Sequence, residues 1–284
     1  MEKKGDNYSL RFASIGNFSR ESLPILHNYY VLKDIRNKFK EEKAFLEKRL
    51  RGISEKDKET LVNAILYRRT ATPALLARRN GIDLSVDQVT CLIGERYLTD
   101  NVINYLMSIF VEEGKTLSGK NTCLAADSIL LCCSERIIGS SVRNPCFGKN
   151  VTQLTTILLP THLKENSHWG LCKIEVPAKS VFFDDGFHMK PPKQLDVVVK
   201  AVLRTLYSLS KSDIFDLHAW EPLQFRRFGM PDQPCSGDGS SSCGVAVLLA
   251  SRSFFQREAL TWSYKDAPYY RRKFLLEIIL DGQK

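Results

Sequence analysis

Four residue types in the second half of the chain have the contexts that nucleophilic thiol chemistry needs. Cys243 ends a polar loop and opens an apolar run, in the stretch GMPDQPCSGDGSSSCGVAVLLAS, which places it at a helix N-terminus. There the free N–H groups and the positive end of the helix dipole stabilise a thiolate and lower a cysteine pKa. Gly244 beside it leaves the backbone open to a substrate. A thiolate needs a base, and His168 stands at the start of a strand behind the polar turn KENSHW, where an imidazole is held at a sheet edge. Asp185 ends the following strand. If the two strands pair as a hairpin, its carboxylate returns beside the imidazole and orients it. Asp184 is the rival, because one residue of register exchanges the faces of the pair. Gln233 carries a side-chain N–H that suits an oxyanion, next to the backbone N–H of Cys243.

The elements that position these residues follow from hydrophobic period and turn chemistry. Residues 31 to 50 predict a helix, with Leu32, Ile35, Phe39, Phe45 and Leu46 at helical spacing. Ser54 predicts the cap of a second helix carrying Leu61, Ile65 and Leu66 inward, and Gly81 reads as a stop. A helix is expected from Asp100, a short apolar helix near 126 to 136, and strands at 154 to 159, 168 to 176 and 180 to 185. A helix over QLDVVVKAVLRTLYSL, a strand between Trp220 and Phe228, an apolar helix from Cys243 and a last helix from Asp266-Ala-Pro complete the order. Helices set before and after a cluster of strands make an α+β protein. A boundary near residue 82 separates a basic, largely helical extension, 1–82, from a catalytic domain, 83–284.

Of the formal charge of +9, residues 1–82 hold 18 Lys+Arg against 10 Asp+Glu, or +8. Such a segment can meet nucleic acid or another acidic surface, although runs like KFKEEKAFLEKRLR also suit a solvated helix. The eight cysteines form no C-x-x-C pair and the histidines lack zinc-finger spacing, so reduced thiols and no metal or other cofactor are expected. Cys235 on the loop is either an incidental thiol or a partner that protects Cys243 as a disulfide under oxidant. No apolar run reaches the roughly 18 to 20 residues of a membrane span, and MEKKGDNYSLRF lacks a signal-peptide core. The protein is expected to be soluble and intracellular, cytoplasmic or nuclear, or inside a host cell if it is a secreted effector.

The chain resembles the ubiquitin-like-protein-specific proteases, the SUMO (sentrin) proteases of the papain-like cysteine peptidases, over about residues 86 to 256. His168-Trp169 with Asp185 is similar to the family's His-Trp and later Asp, Pro231-Asp232-Gln233-Pro234 and Cys243-Gly244 to its Gln loop and Cys-Gly, and Tyr97-Leu98-Thr99-Asp100 to its Trp-Leu-Asn-Asp. The likeness implies a central mixed sheet flanked by helices, with the nucleophile at the start of a buried helix. It implies cleavage after the diglycine tail of ubiquitin or a SUMO-like modifier, and release of that modifier from lysine conjugates, through a thioester. Trp169 and Tyr97 would close a narrow tunnel over the tail, with Asp100 holding the substrate side. The sequence departs from the family at Thr99, at Ser242 before the nucleophile, and in a longer loop from Gln233 to Cys243. Two other readings stay open: a clan-related acetyltransferase using the same triad, and an inactive modifier-binding module with a basic tether.

Overall fold

The computed structural model describes residues 10–12, 16–18, 22–69, 75–94, 96–118, 123–146, 151–163, 167–233, 241–256, 259 and 261–283. The chain forms two compact units, residues 1–51 and 52–284. In the first, β1 (Leu10–Phe12) pairs antiparallel with β2 (Gly16–Phe18), and α1 (Leu23–Arg49) follows. This helix starts earlier than its apolar spacing predicts, with Pro24 in its first turn, where a missing N–H costs nothing.

The second unit opens with α2 (Glu55–Arg69), capped by Ser54, whose hydroxyl accepts the Asp57 N–H at 3.1 Å. Next come β3 (Leu75–Arg79) and β4 (Ile82–Ser85), an antiparallel hairpin. Its turn, Asn80-Gly81, has φ of 49° and 80°, the pair of left-handed residues that a two-residue hairpin favours. Gly81 therefore turns a hairpin rather than stopping a helix, and residue 82 lies inside it. Arg79 pairs with Asp281 at 2.8 Å, and Asp281 also accepts the Tyr105 hydroxyl at 2.9 Å, so the hairpin is tied to the body of this unit.

The central sheet has the order β5-β6-β7-β8-β9, built from β5 (Cys123–Ala125), β6 (Thr156–Leu163), β7 (His168–Glu175), β8 (Ser180–Asp184) and β9 (Phe225–Arg226). The middle three strands are antiparallel and both edge pairs are parallel. On one face, α6 (Lys193–Ser210) packs Leu195, Val198, Val199, Val202 and Leu206 with Ile157, Leu159, Cys172, Ile174 and Phe183 in the main core cluster. Each such buried side chain contributes about 1.5–3 kcal/mol. The short helix expected near 126 to 136 is a single 3-10 turn over Leu130–Cys132, and α5 (Glu135–Cys146) follows it beside α6.

Across β7 runs α7 (Cys243–Gln256), packed on α4 (Asp100–Ser118). Ten of its residues are buried, as its apolar sequence demands. The last helix, α8 (Ala267–Asp281), packs on α3 (Val86–Ile93) and α2. No described helix is long and apolar enough to cross a membrane.

Candidate active site

Strand register decides which aspartate meets His168. Cys172 pairs with Phe183 and Leu171 with Asp184, and side chains alternate between faces. His168, Gly170 and Cys172 therefore share a face with Phe183 and Asp185, while Asp184 points the other way. Gly170 makes room for the meeting: a Cβ there would lie 3.2 Å from the Asp185 Cβ and 3.0 Å from the Phe183 ring.

His168 is buried and stacks on Phe187 with ring centroids 4.4 Å apart. Its Nε2 lies 2.8 Å from the Asp185 backbone carbonyl and 3.9 Å from Asp185 Oδ2. A carbonyl only accepts, so Nε2 carries the proton in the neutral ring, and Nδ1 keeps its lone pair. The Asp185 carboxylate is fully buried. Its Oδ1 accepts the N–H groups of Phe187 and Met189 at 3.0 and 3.1 Å, and Oδ2 has no hydrogen-bond partner among the described residues. A buried, unpaired carboxylate oxygen beside an imidazole stabilises the imidazolium once that ring takes a second proton.

Asp184 does different work. Its Oδ1 accepts Gly186 N–H at 3.1 Å and contacts His188 Nδ1 at 3.0 Å, and its Oδ2 accepts the N–H groups of Gly229 and Met230 at 3.1 and 2.9 Å. The rival aspartate is thus the anchor of the loop that carries Gln233. The clasp continues from His188 Nε2 to Asp232 at 2.6 Å, and the Asp232 contact first, then Asp184, raises the His188 pKa above its ordinary value against the opposing cost of burial.

Gln233 is buried and held from both sides. Its N–H donates to the Gly186 carbonyl at 2.9 Å, and Ser242 Oγ donates to its Oε1 at 3.3 Å. In this amide orientation Nε2 is buried without an acceptor among the described residues. Ser242 immediately precedes Cys243, so the idle donor lies beside the start of α7. Residues 234–240, Cys235 included, lie outside the described residues.

Cys243 is buried at the first position of α7. Burial pushes its thiol up from the ordinary value, while the backbone N–H groups of Trp169, Gly244 and Cys243 itself, and the charge of Arg271, pull it down. The net shift is upward, opposite to the lowering expected from the helix terminus, because burial outweighs these contacts. The Trp169 contact puts the sulfur against the start of β7, where His168 stands.

Trp169 is buried, and its indole N–H donates to the Leu98 carbonyl at 3.0 Å. The Leu98 side chain also lies against Gly244, where a Cβ would approach it to 3.0 Å. Gly244 therefore opens space that Leu98 fills, not a bare face for substrate. Tyr97 is half exposed (50%) one residue before Leu98, and Asp100 is exposed at the start of α4. Thr99 caps α4, its hydroxyl accepting the Val102 N–H at 3.4 Å. A cavity of about 190 Å³ lies behind Ser241 and Ser242 and is lined by Tyr264, Lys265 and Arg271, with none of His168, Asp185 or Gln233 on its wall. No group of three described His, Cys, Asp or Glu residues suits a metal ion.

The sequence alone does not single out Gly170, Gly186, His188 or Arg271, and it offers Leu98 only as a member of the Tyr97–Asp100 motif. The one local signal for any of the first four is the Asp-Asp-Gly that ends β8, a turn dipeptide whose glycine takes φ 75°.

No family model matches the chain. It is 25% identical over 230 residues to ubiquitin-like-specific protease 1 of Saccharomyces cerevisiae, covering 80% of this chain and 34% of the relative. It is 21% identical over 236 residues to ubiquitin-like-specific protease 1A of Arabidopsis thaliana, covering 79% of this chain and 45% of the relative. The chain thus spans less than half the length of these curated relatives. Among solved structures, the C-terminal Ulp1 protease domain in complex with Smt3, the yeast ortholog of SUMO, superposes with a TM-score of 0.63 at 22% identity, over 82% of this chain and 97% of that one. The Chaetomium thermophilum Ulp1-like SUMO protease catalytic domain gives 0.61 at 18% identity, over 82% and 91%. These likenesses show the α+β, papain-like fold.

Proposed function

We propose that the chain is a cysteine protease of the ubiquitin-like-specific, SUMO-protease type, the proteins it resembles in sequence and in fold. It is a cysteine-type peptidase that cuts after the C-terminal diglycine of a ubiquitin-like modifier, SUMO or ubiquitin, and frees the modifier from lysine. Cys243 is the nucleophile, His168 the base and acid, Asp185 the orienting carboxylate and Gln233 the oxyanion donor.

In this mechanism His168 Nδ1 takes the thiol proton as the sulfur attacks the carbonyl carbon of the terminal glycine. The imidazolium sits between the Asp185 carbonyl and its unpaired Oδ2, and the 3.9 Å contact to that oxygen closes as charge develops. Negative charge on the carbonyl oxygen is met by Gln233 Nε2 and the Cys243 N–H. Collapse expels the lysine amine, which takes the proton from His168, and leaves a thioester. Water, deprotonated by His168, then attacks the thioester, and the modifier leaves with a free carboxylate as the thiol is restored. Trp169, held to Leu98, and the exposed Tyr97 line the approach of the glycine tail.

The observation that carries this reading is the buried Gln233 Nε2, which has no acceptor among the described residues, on a side chain held by Ser242, the residue before Cys243. A buried donor with no acceptor costs about 1–3 kcal/mol, and an oxyanion is the acceptor that repays it. Ubiquitin and SUMO carrying C-terminal electrophiles should label Cys243 and fail to label Cys243→Ala. Folded protein that no modifier probe labels refutes the reading. For residues 1–82, contact with nucleic acid or another acidic surface predicts binding that weakens steeply with salt, and binding that is absent or insensitive to salt removes that role.

A further inference from the structure

The C-terminal helix carries a buried cation that reaches the segments on both sides of the nucleophile. Arg271, in α8, is 4% exposed. Its Nη1 donates to the carbonyls of Cys91 and Arg96 at 2.6 and 2.9 Å, and its Nη2 to the carbonyl of Ser241 and, at 3.2 Å, to the Ser241 hydroxyl. Cys91 lies in α3. Arg96 stands two residues before Leu98, which holds the Trp169 indole and packs on Gly244. Ser241 stands two residues before Cys243, and its neighbour Ser242 holds Gln233. One guanidinium therefore ties the segment that leads to Leu98 and its bond with Trp169 to the segment that carries Cys243 and the Ser242 that holds Gln233.

We propose that Arg271 is a positioning residue of this site, whose planar fork locks the Ser241–Cys243 segment against the Cys91–Arg96 segment and whose fixed positive charge favours the thiolate of Cys243. This role rests on the reading of Cys243 as nucleophile. The fork is what arginine alone supplies: five donors in one plane span three backbone carbonyls, while a lysine ammonium is a single point of charge. The charge also acts in the direction a thiolate needs, since Arg271 pulls the Cys243 thiol down against the effect of burial. A cation buried this deeply is little screened by salt.

Two variants of the full chain, Arg271→Lys and Arg271→Gln, separate charge from fork, and both are read without any modifier substrate. The first readout is the rate of Cys243 alkylation by iodoacetamide across pH, followed by peptide mass spectrometry. The second is amide hydrogen exchange over residues 241–244. Arg271→Gln should slow alkylation at pH 7 by roughly three- to tenfold and move the profile to higher pH. Arg271→Lys should stay within about twofold of the parent in alkylation. Both should speed exchange at 241–244 by about tenfold or more, since each loses the fork.

A purely structural arginine makes Lys and Gln equally slow in alkylation, and that result overturns the electrostatic half of the role. Unchanged exchange in Arg271→Lys overturns the positioning half, and decides the matter even if Arg271→Gln does not fold. If ubiquitin and SUMO carrying C-terminal electrophiles fail to label folded parent protein at Cys243, the nucleophile reading itself fails. Fast parent alkylation that does not respond to either variant overturns only the role of Arg271.

Discussion

Gly186→Ala tests the oxyanion assignment without touching a reacting group. Gly186 has φ 75°, and a Cβ built there would lie 2.4 Å from Gln233 Cγ and 3.1 Å from the Pro231 carbonyl. Ordinary contact begins at 3.4 Å, so the Gln233 side chain must retreat by about an ångström. Its backbone cannot follow freely, because the Gln233 N–H is bonded to the Gly186 carbonyl at 2.9 Å. An alanine at this φ costs about 1–2 kcal/mol, and relief of the contact adds about 1 kcal/mol, so the folded state should lose about 2–3 kcal/mol in urea melts. Moving the donor away from the oxyanion should lower kcat by about 10²-fold, or about 3 kcal/mol. The assay is turnover of a fluorogenic SUMO or ubiquitin C-terminal amide, with iodoacetamide alkylation of Cys243 as the control. Alkylation forms no oxyanion and should stay within about twofold. Gln233→Ala should cost a similar factor, and the double variant should be no worse than either single one, because both remove the same donor. Full activity in Gly186→Ala, or two losses that multiply, refutes the reasoning.

The two aspartates should fail differently. Asp185→Asn should lower kcat by about 10²- to 10⁴-fold, because it removes the negative charge beside the imidazolium, with little change in the melting curve. Asp184→Ala should instead cost about 3 kcal/mol in stability by stranding the N–H groups of Gly229 and Met230, and equal effects on both measurements would contradict the register. The raised pKa of His188 makes the clasp between Asp184 and Asp232 pH-dependent. Its stabilisation is fully present below the ordinary histidine value of about 6.5 and fades as pH rises through the higher folded value. Amide protection at Asp232 and Gln233 should therefore fall from acid to alkaline pH beyond the intrinsic exchange trend. His188→Gln should lose that dependence, and an unaltered dependence would be evidence against the clasp. Trp169→Phe removes the bond to the Leu98 carbonyl and should raise KM for a diglycine substrate by about tenfold at a stability cost of about 1 kcal/mol; an unchanged KM would separate the tryptophan from the substrate passage.

The sequence made the α+β class and several long elements legible because their apolar periods are strong. Helix α6 and the β7–β8 pair came from alternation and spacing alone, and α7 from its abrupt apolar start at Cys243. Strand β5 leaves no signal because three residues at a parallel edge carry no period, and the β3–β4 hairpin is hidden because Gly81 alone also fits a helix stop, the turn showing only with Asn80 beside it. The choice between Asp184 and Asp185 needed strand register, which depends on the pairing of Leu171 and Cys172 across the hairpin. Gln233 was visible as a residue type, but its placement depends on Gly186 and Ser242, two contacts that no spacing rule encodes. Arg271 was the least legible, since it joins carbonyls 175 and 180 residues away in sequence. Long-range backbone contacts of this kind leave no local pattern.

The central claim is a thioester on Cys243, and trapping it is the most direct test. SUMO or ubiquitin with a C-terminal extension would be mixed with the protein, quenched in acid within a single turnover, and resolved without reductant. The account predicts an adduct of protein and mature modifier that is released by hydroxylamine, maps to Cys243, and is absent in Cys243→Ala. Folded protein that cleaves the extension without such an adduct, or with the adduct on another residue, would contradict it.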